Sequence, residues 1–353
     1  MKNSERKIQI YPAIEGVHTV HNSLISYPPK GYKFIGISMP KKLKIINSIR
    51  DNKFFRNLYR AFLNFFPNTG LFDLANKSQI LDEADLIYSA GYLIETDKPW
   101  ILEILDVPYC LTGYNYELFV KNKERLESVL RANNCKKIIC TNESSVEIMK
   151  KHFSEGVIRK VELVRPALEF PEIDKKKGRD KVRILFMGSV NNPKDFYVKG
   201  GFEALRAFER IQDEYDVELI IRCFMPHNLR DRVLKNKKIR LIDKRISLEE
   251  LKELYSESDI ALLPSHQYVL MAFLESMSFG LPIVALDTYA VRDYIADWEN
   301  GFVVSKSNKI SSYDYLGYPT NTKRDKFLSE IMEEDRELTE RLADKVRLLI
   351  KDG

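Results

Sequence analysis

The stretch DIALLPSHQYVLMAFLESMSFGLPIVAL, residues 259–286, decides the fold class of this chain. Its opening apolar run predicts a buried strand that ends at Pro264, and the apolar pattern that resumes near Leu270 or Met271 predicts a helix. Gly280 ends that helix, and a second apolar run follows at once. Two buried strands joined by a helix indicate a parallel pair, because parallel neighbours need a crossover connection. The stretch therefore predicts an α/β fold.

The same alternation of apolar runs and helical patterns extends through the rest of the chain. The runs of the second half are VRILFM (182–187), VELIIRCF (217–224), IRLI (239–242), DIALLP (259–264), PIVAL (282–286) and FVV (302–304). Those of the first half, which are less regular, are KIQIY (7–11), KFIGIS (33–38), ADLIYS (84–89), PWILEIL (99–105), KKIICT (136–141) and KVELV (160–164). Strict alternation predicts parallel sheets that helices cover on both faces. We therefore expect two doubly wound Rossmann-like domains that face a cleft.

A polar segment rich in Pro, Lys and Asp separates the two halves and lacks apolar periodicity. The expected division is a first domain over residues 1–168, a linker over 169–180 and a second domain over 181–330. Residues 331–353 predict a long amphipathic terminal helix.

Two of the predicted helices begin with a recognisable signal. Ser144 and Glu147 have the spacing of a capping box, and so do Ser247 and Glu250. In this arrangement the serine and glutamate side chains each bond a backbone amide at the start of the helix, so we expect helices to begin at these two points.

The composition excludes several classes of protein. With 353 residues, 44% hydrophobic and 30% charged, the chain can bury a substantial core. No apolar run is long enough for a signal peptide or a membrane span, so we expect a cytoplasmic protein. Its four cysteines lack C-x-x-C spacing and its five histidines lack an H-E-x-x-H pair, so we expect core thiols and no metal site. We expect no nucleic acid among the partners.

Residues 41–60 concentrate the positive charge of the chain. They hold seven basic residues and one acid, which gives a local net charge of 7 − 1 = +6 against +5 for the whole chain. Apolar side chains recur there at helical spacing. Such a basic amphipathic helix either lies on an anionic membrane or packs on a core with its basic face in solvent.

Glu275 is a single carboxylate among apolar and small residues, about one turn into the helix predicted from Leu270 or Met271. Burying an unpaired carboxylate costs on the order of several kcal/mol. This glutamate therefore needs a partner. The free amides of the helix start could hold a diphosphate, and Glu275 could then accept hydrogen bonds from a pair of sugar hydroxyls. The alternative is a glutamate that merely stabilises the helix dipole.

The loop GSVNNPKDFYVKGG, residues 188–201, suggests a second anion site. It opens with Gly188 and Ser189 and ends with Lys199 at the start of a predicted helix. Glycine permits close backbone approach, a helix start favours an anion, and lysine adds a positive charge. The alternative is an ordinary strand-to-helix turn with a surface lysine.

Taken in order, the segments FMG, KGG, ALRAF, SLEELKELYSESDIALLPS, LESMSFGLPIVALDTYAVRDYI and NGFVV resemble the donor domain of GT-B glycosyltransferases, the retaining family-four enzymes. The resemblance spans residues 182–304. It implies a nucleotide-sugar donor whose ribose hydroxyls bind Glu275 and whose diphosphate binds Lys199. The donor site it implies also takes in three residues of the helix start: Leu270, Met271 and Ala272.

The sequence departs from the family at three of the site positions. Gln267 stands eight positions before Glu275, where the family has a second glutamate that holds the transferred sugar. Leu270 replaces the usual glycine of the helix start, and Ser189 replaces the usual arginine after the strand glycine. Gln267 keeps hydrogen-bonding capacity without the charge. Lys194, in the same loop as Ser189, is the candidate to replace the arginine.

The resemblance also assigns roles outside the donor domain. It places Gly16 and His18 in a loop near the donor phosphates, and Asp106 at a strand end where it could orient an acceptor hydroxyl. A turn residue is the alternative for Asp106. The terminal helix is expected to cross back to the first domain, as is common in the family.

The implied reaction needs neither a metal nor a cofactor beyond the donor. Its catalytic residues are expected to be Lys199, Gln267 and Asp106, and its acceptor a glycan or a lipid-linked sugar. Such acceptors favour membrane binding by residues 41–60, and hence a peripheral location at the inner face of the membrane. The alternatives are a non-catalytic protein that binds nucleotide sugars, and a GT-B-fold sugar epimerase.

Overall fold

The computed structural model describes residues 5–14, 20–37, 80–168, 181–190, 192–314, 316–319 and 324–352. The chain divides into two compact units, residues 1–167 and 168–353. The predicted linker and the basic segment 41–60 lie outside the described residues.

The first domain is built on a six-stranded parallel sheet with the order β2-β1-β3-β4-β5-β6. Its strands are β1 (Arg6–Tyr11), β2 (Tyr32–Ile35), β3 (Leu86–Ala90), β4 (Trp100–Ile104), β5 (Cys135–Cys140) and β6 (Val161–Leu163). Its α-helices are α1 (Val20–Ser26), α2 (Tyr116–Lys121), α3 (Lys123–Arg131), α4 (Glu143–His152) and α5 (Glu155–Ile158), with a 3-10 helix at Pro108–Thr112.

The second domain is built on another six-stranded parallel sheet, with the order β12-β11-β10-β7-β8-β9. Its strands are β7 (Val182–Met187), β8 (Val217–Arg222), β9 (Ile239–Ile242), β10 (Ile260–Leu263), β11 (Ile283–Leu286) and β12 (Gly301–Val304). Its α-helices are α6 (Lys194–Val198), α7 (Gly201–Ile211), α8 (His227–Lys235), α9 (Leu248–Ser256), α10 (Leu270–Ser278), α11 (Arg324–Ile331) and α12 (Arg336–Asp352), with a 3-10 helix at Val291–Asp293.

These sheets confirm the predicted α/β fold with two doubly wound domains. The capping box at Ser247 and Glu250 is also confirmed. The start of α4 differs from the prediction, because Asn142 is the residue whose side chain accepts the bond from the amide of Ser145. Asparagine is as good an N-cap as serine, and here it lies two residues before Ser144, nearer the strand.

The terminal helix α12 packs in the core of the second domain, which corrects the prediction that it crosses back to the first. Leu338, Leu342 and Val346 recur at helical spacing and are buried in that core. At the ends of the contact with α7, Arg210 donates to the Thr339 hydroxyl and Arg347 pairs with Glu214. The apolar stripe is therefore satisfied within the second domain.

Among the described residues, no helix is both long enough and apolar enough to cross a membrane.

Candidate nucleotide-sugar site

The candidate site lies at the carboxyl edge of the second sheet, between the loops that follow β7 and β10. These two strands are direct neighbours, since Ile260 and Ala261 pair with Ile184 and Leu185. The strand order reverses between them, because β8 and β9 extend from β7 on one side while β11 and β12 extend from β10 on the other. In open α/β sheets, ligands bind at such a switch point, outside the carboxyl ends of the strands.

The loop after β7 is tied to the loop after β10 by the backbone around Gly200. Gly200 has φ +77°, and a Cβ built there would lie 1.9 Å from the carbonyl oxygen of Pro264. The amide of His266 donates to the carbonyl of Val198 at 3.1 Å. The half-buried Lys199 lies between these two contacts in the chain. Only glycine fits at residue 200, and its close approach brings Lys199 next to the segment that carries Gln267.

Gln267 is half-buried and held through both its backbone and its side chain. The hydroxyl of Ser265 donates to the carbonyl of Gln267 at 2.6 Å and accepts from its amide at 3.2 Å. The side-chain amide nitrogen of Gln267 donates to the hydroxyl of Tyr318 at 3.5 Å. Gln267 therefore has a fixed position near Lys199, with one weak side-chain contact to a buried tyrosine.

Glu275 has a partner in the protein that the sequence pattern did not indicate. The buried Tyr255, on α9, donates its hydroxyl to Oε2 of Glu275 at 2.7 Å. Burial raises the pKa of Glu275, while the Tyr255 hydrogen bond and the charge of Arg222 oppose that rise. Burial and the charge of Glu275 also raise the pKa of Tyr255, so its hydroxyl keeps the proton that it donates. No described residue donates to the other carboxylate oxygen, Oε1.

The helix that carries Glu275 begins at Leu270, as predicted, and no side chain caps it. Its first intrahelical bond runs from the amide of Phe273 to the carbonyl of Val269. The amides of Leu270, Met271 and Ala272 precede that bond, in the turn where an α-helix leaves its N–H groups without partners. Leu270 is buried, whereas the next two residues are half-buried.

The start of the first loop is held by packing. A Cβ at Gly188 would lie 2.5 Å from Sγ of Cys223, so the glycine makes room for that side chain. The carbonyl of Ser189 accepts a bond from the amide of Phe224 at 3.0 Å. Lys194 is exposed at the first residue of α6, a short helix inside the segment predicted to be a loop. Packing against Cys223 therefore explains the glycine at residue 188 without a ligand.

A hydrogen-bonded cluster of the buried Glu203 and His266 with the half-buried Tyr313 lies beneath these loops. His266 places Nε2 2.8 Å from Oε1 of Glu203 and Nδ1 2.6 Å from the hydroxyl of Tyr313. Burial, followed by the charges of Glu203 and Glu330, raises the pKa of Tyr313. Its hydroxyl can therefore donate to Nδ1, which leaves the N–H on Nε2 to donate to Glu203. The cluster fixes the residue before Gln267 to the first turn of α7.

Two features of the sequence point to this cluster. Glu203 is an acid within the apolar pattern of α7, and His266 follows directly after a buried strand. Tyr313 carried no signal, because it lies 47 residues beyond its histidine partner.

In the first domain, Asp106 lies just beyond the carboxyl end of β4, and its side chain is half-buried. Its backbone carbonyl accepts from the hydroxyl of Ser145 at 2.5 Å. A second buried pair at this sheet was missed: Nε2 of His21 lies 2.5 Å from Oε2 of Glu103. Burial and Glu103 raise the pKa of Tyr88 on the neighbouring strand. Gly16 and His18 lie outside the described residues.

Comparison with known proteins supports the assignment of the second domain. Residues 181–313 match the family described as Glycosyl transferases group 1, which confirms the resemblance predicted from the sequence. Among curated proteins, none matches the chain.

Several solved structures align with this chain to different extents. HepE of Anabaena, solved with UDP and glucose, aligns with a TM-score of 0.52 at 13% identity over 98% of this chain and 95% of its own. The pneumococcal O-GlcNAc transferase GtfA aligns with a TM-score of 0.47 at 15% identity over 78% of this chain, and TarM with 0.44 at 13% over 76%. The chain spans 57% of GtfA and 51% of TarM. The likeness to HepE establishes a shared two-domain α/β fold.

Proposed function

We propose that this chain is a glycosyltransferase that moves a sugar from a nucleotide-diphosphate donor to a glycan or lipid-linked acceptor. The observation that carries the proposal is the junction of the Lys199 and Gln267 loops at the switch point of the second sheet. This junction lies in a domain that matches glycosyl transferases group 1. A cation, an uncapped helix start and a carboxylate meet the needs of a diphosphate and its ribose.

The proposed reaction proceeds with retention and without a metal ion or further cofactor. Negative charge grows on the diphosphate as the sugar bond breaks, and Lys199 and the amides of Met271 and Ala272 stabilise it, as preorganised donors do in an oxyanion hole. A donor phosphate oxygen removes the acceptor proton in a front-side attack, so the reaction asks little of protein acids and bases. Gln267 contacts the transferred sugar, and Asp106 orients the acceptor hydroxyl.

A second candidate is a non-catalytic protein that binds nucleotide sugars. Gln267 favours it, because an amide cannot supply the charge of the family's glutamate. Leu270 also favours it, because this buried side chain replaces a glycine at the helix start. Turnover of a donor separates the two candidates.

A donor screen by thermal unfolding tests both candidates. We expect one activated sugar among UDP-glucose, UDP-N-acetylglucosamine, GDP-mannose and related donors to raise the melting temperature, because a ligand of the native state stabilises it. UDP-glucose comes first, since HepE was solved with UDP and glucose. Release of the nucleoside diphosphate is then measured with mixed glycan and lipid-linked acceptors. If no donor shifts the transition, the proposed function is wrong; a shift without release favours the binding protein.

Replacement of Lys199 and of Gln267 by alanine tests the assigned roles. Lys199→Ala should lower turnover by about 10²-fold, comparable to the loss of one oxyanion donor, and should weaken donor binding as well. Gln267→Ala should impair transfer while the affinity for the free nucleoside diphosphate changes little, because that ligand lacks the sugar. Calorimetric titration alongside the transfer assay measures both quantities, and Lys235→Ala on the exposed end of α8 is the control.

A further inference from the structure

Arg222 lies at the candidate site, although no charge pattern or motif in the sequence predicts a site residue there. It is the last residue of β8 and pairs with Met187, which directly precedes Gly188. Its Nη1 donates to the carbonyl of Gly188 at 2.8 Å. Its Nε is shielded from solvent and has no hydrogen-bond partner among the described residues. The guanidinium is therefore anchored by one nitrogen, and no described residue accepts a hydrogen bond from its Nη2.

The charge of Arg222 is not matched by an ion pair within the described part of the chain, although the side chain is half-buried. Four other half-buried arginines of the same domain each pair with a carboxylate: Arg183, Arg206, Arg210 and Arg347. A guanidinium taken partly out of water is costly without an anionic partner. Arg222 thus has the surroundings expected of a residue whose partner is an anionic ligand.

Arg222 and Glu275 are close enough for their charges to interact, since the positive charge of Arg222 opposes the rise in the pKa of Glu275. They form no ion pair with each other. A carboxylate accepts hydrogen bonds from a hydroxyl pair, whereas a guanidinium matches the oxygens of a phosphate. One nucleotide carries both groups, with its first phosphate a few bonds from its ribose hydroxyls.

We propose that Arg222 binds the phosphate that adjoins the ribose held by Glu275. The inference rests on the proposed donor site and adds to it a second cation beside Lys199, supplied by the neighbouring strand. Lys194, the substitute considered from sequence, is exposed at the start of α6, whereas Arg222 is anchored against Gly188. Arg222 is thereby a specificity residue for phosphorylated ligands.

Calorimetric titration with a nucleoside diphosphate, its monophosphate and the free nucleoside tests this role. The probes are UDP, UMP and uridine, with the guanosine series in parallel. Arg222→Gln should weaken both phosphorylated ligands by about tenfold or more, the scale of a charge-assisted hydrogen bond, and leave the nucleoside unchanged. Arg222→Lys should recover part of the loss. Arg232→Gln, which removes an exposed arginine paired with Glu209, is the matched control.

The outcomes separate this inference from the proposed function. If the wild-type protein binds none of the nucleotides, both fail together. If it binds them and Arg222→Gln binds them equally well, only the role of Arg222 is wrong. Should the variant lose affinity for the nucleoside by the same factor as for the diphosphate, Arg222 acts only by holding the Gly188 loop. Thermal unfolding of each variant without ligand verifies that it is folded.

Discussion

Glu275 is a carboxylate in a buried position, and burial opposes its ionisation. Its carboxylate is removed from water, which raises its pKa and disfavours the charged form. Tyr255 and Arg222 compensate only in part, because the net effect remains a rise. A ribose hydroxyl pair offers donors that no described residue supplies to Oε1. The charged form of Glu275 therefore destabilises the free protein, and it is the form that we propose binds the ribose.

Glu275→Gln should separate stability from binding. A carboxyl with a raised folded pKa contributes stability that is present below its ordinary value of 4.5 and lost as the pH rises through the folded pKa. Glutamine cannot ionise, so the stability of the variant relative to the wild type should increase from pH 4.5 to neutral pH. Urea unfolding at several pH values measures this difference, with the exposed Glu253→Gln as control.

The same variant should bind the nucleoside diphosphate about tenfold more weakly at neutral pH, the order expected for a hydrogen bond to a charged group. In the wild type, affinity should fall as the pH drops toward 4.5, because protonation removes an acceptor. Two results would contradict the role of Glu275 at the ribose: a wild-type affinity that does not change with pH, or a variant that binds the nucleoside diphosphate as tightly as the wild type.

The residues of the candidate site could be predicted only in part. Lys199, Gln267 and Glu275 follow strands with strong apolar patterns, so their place at the carboxyl edge follows from the alternation itself. Tyr255, on α9, and Arg222, on β8, could not be identified as neighbours of Glu275. They belong to other elements of the second domain, and no periodicity within one element reports a contact between two.

At the scale of elements, the junction at Gly200 holds two loops in register. Gly200→Ala would place a methyl group against the carbonyl of Pro264, in a backbone conformation that L residues avoid. We expect a loss of roughly 3 kcal/mol or more in the free energy of unfolding, since strain and overlap add. Donor affinity should fall too, because Lys199 shifts with the backbone.

Gly317→Ala is the matched control for that change. Gly317 has nearly the same backbone angle, φ +74°, and a Cβ there meets only ordinary contacts of 3.5 Å and more. Gly317→Ala should lower the free energy of unfolding by about 1 to 2 kcal/mol, the cost of the left-handed backbone conformation alone. Denaturant unfolding compares the two variants. If both lose the same amount, the close approach at Pro264 does not hold the loops together.

The basic segment 41–60 leads to a prediction about membranes. Each basic residue near an anionic surface contributes about 1 kcal/mol, so several together would hold the protein reversibly. Replacement of four lysines by glutamine should release the protein from anionic vesicles in a sedimentation assay: Lys41, Lys42, Lys44 and Lys53. The control replaces four exposed lysines of the first domain: Lys121, Lys123, Lys150 and Lys151. Binding that persists in the first variant refutes membrane recruitment by this segment.

The positions of the strands and helices were predicted better than the residues at which they begin and end. The apolar runs match the strands of both sheets, and VRILFM and IRLI match β7 and β9 residue for residue. The capping asparagine of α4 and the short helix α6 were missed, because single polar side chains and a turn of helix leave little periodicity.

At the scale of the whole molecule, α12 completes the core of the second domain. Leu342→Ala should cost about 2 to 5 kcal/mol, because it leaves a cavity in the core between α12 and α7. The transition that this variant lowers should be the one that the nucleoside diphosphate raises. Leu248→Ala, at an exposed leucine of the same domain, should change stability by less than about 0.5 kcal/mol. Scanning calorimetry with and without the nucleotide measures both variants, and a loss confined to the other transition contradicts the assignment of α12.

The place of α12 in that core also sets an order of events during synthesis on the ribosome. Residues 1–167 form a compact unit of their own, so the first domain has its whole sequence early. The second domain has its full core only after Val346 has been translated. Until then the apolar face of α7 lacks its cover, and a nascent chain arrested near residue 330 should engage chaperones that bind exposed apolar helices. Translation of residues 336–352 is therefore the step that completes the core beneath the candidate donor site.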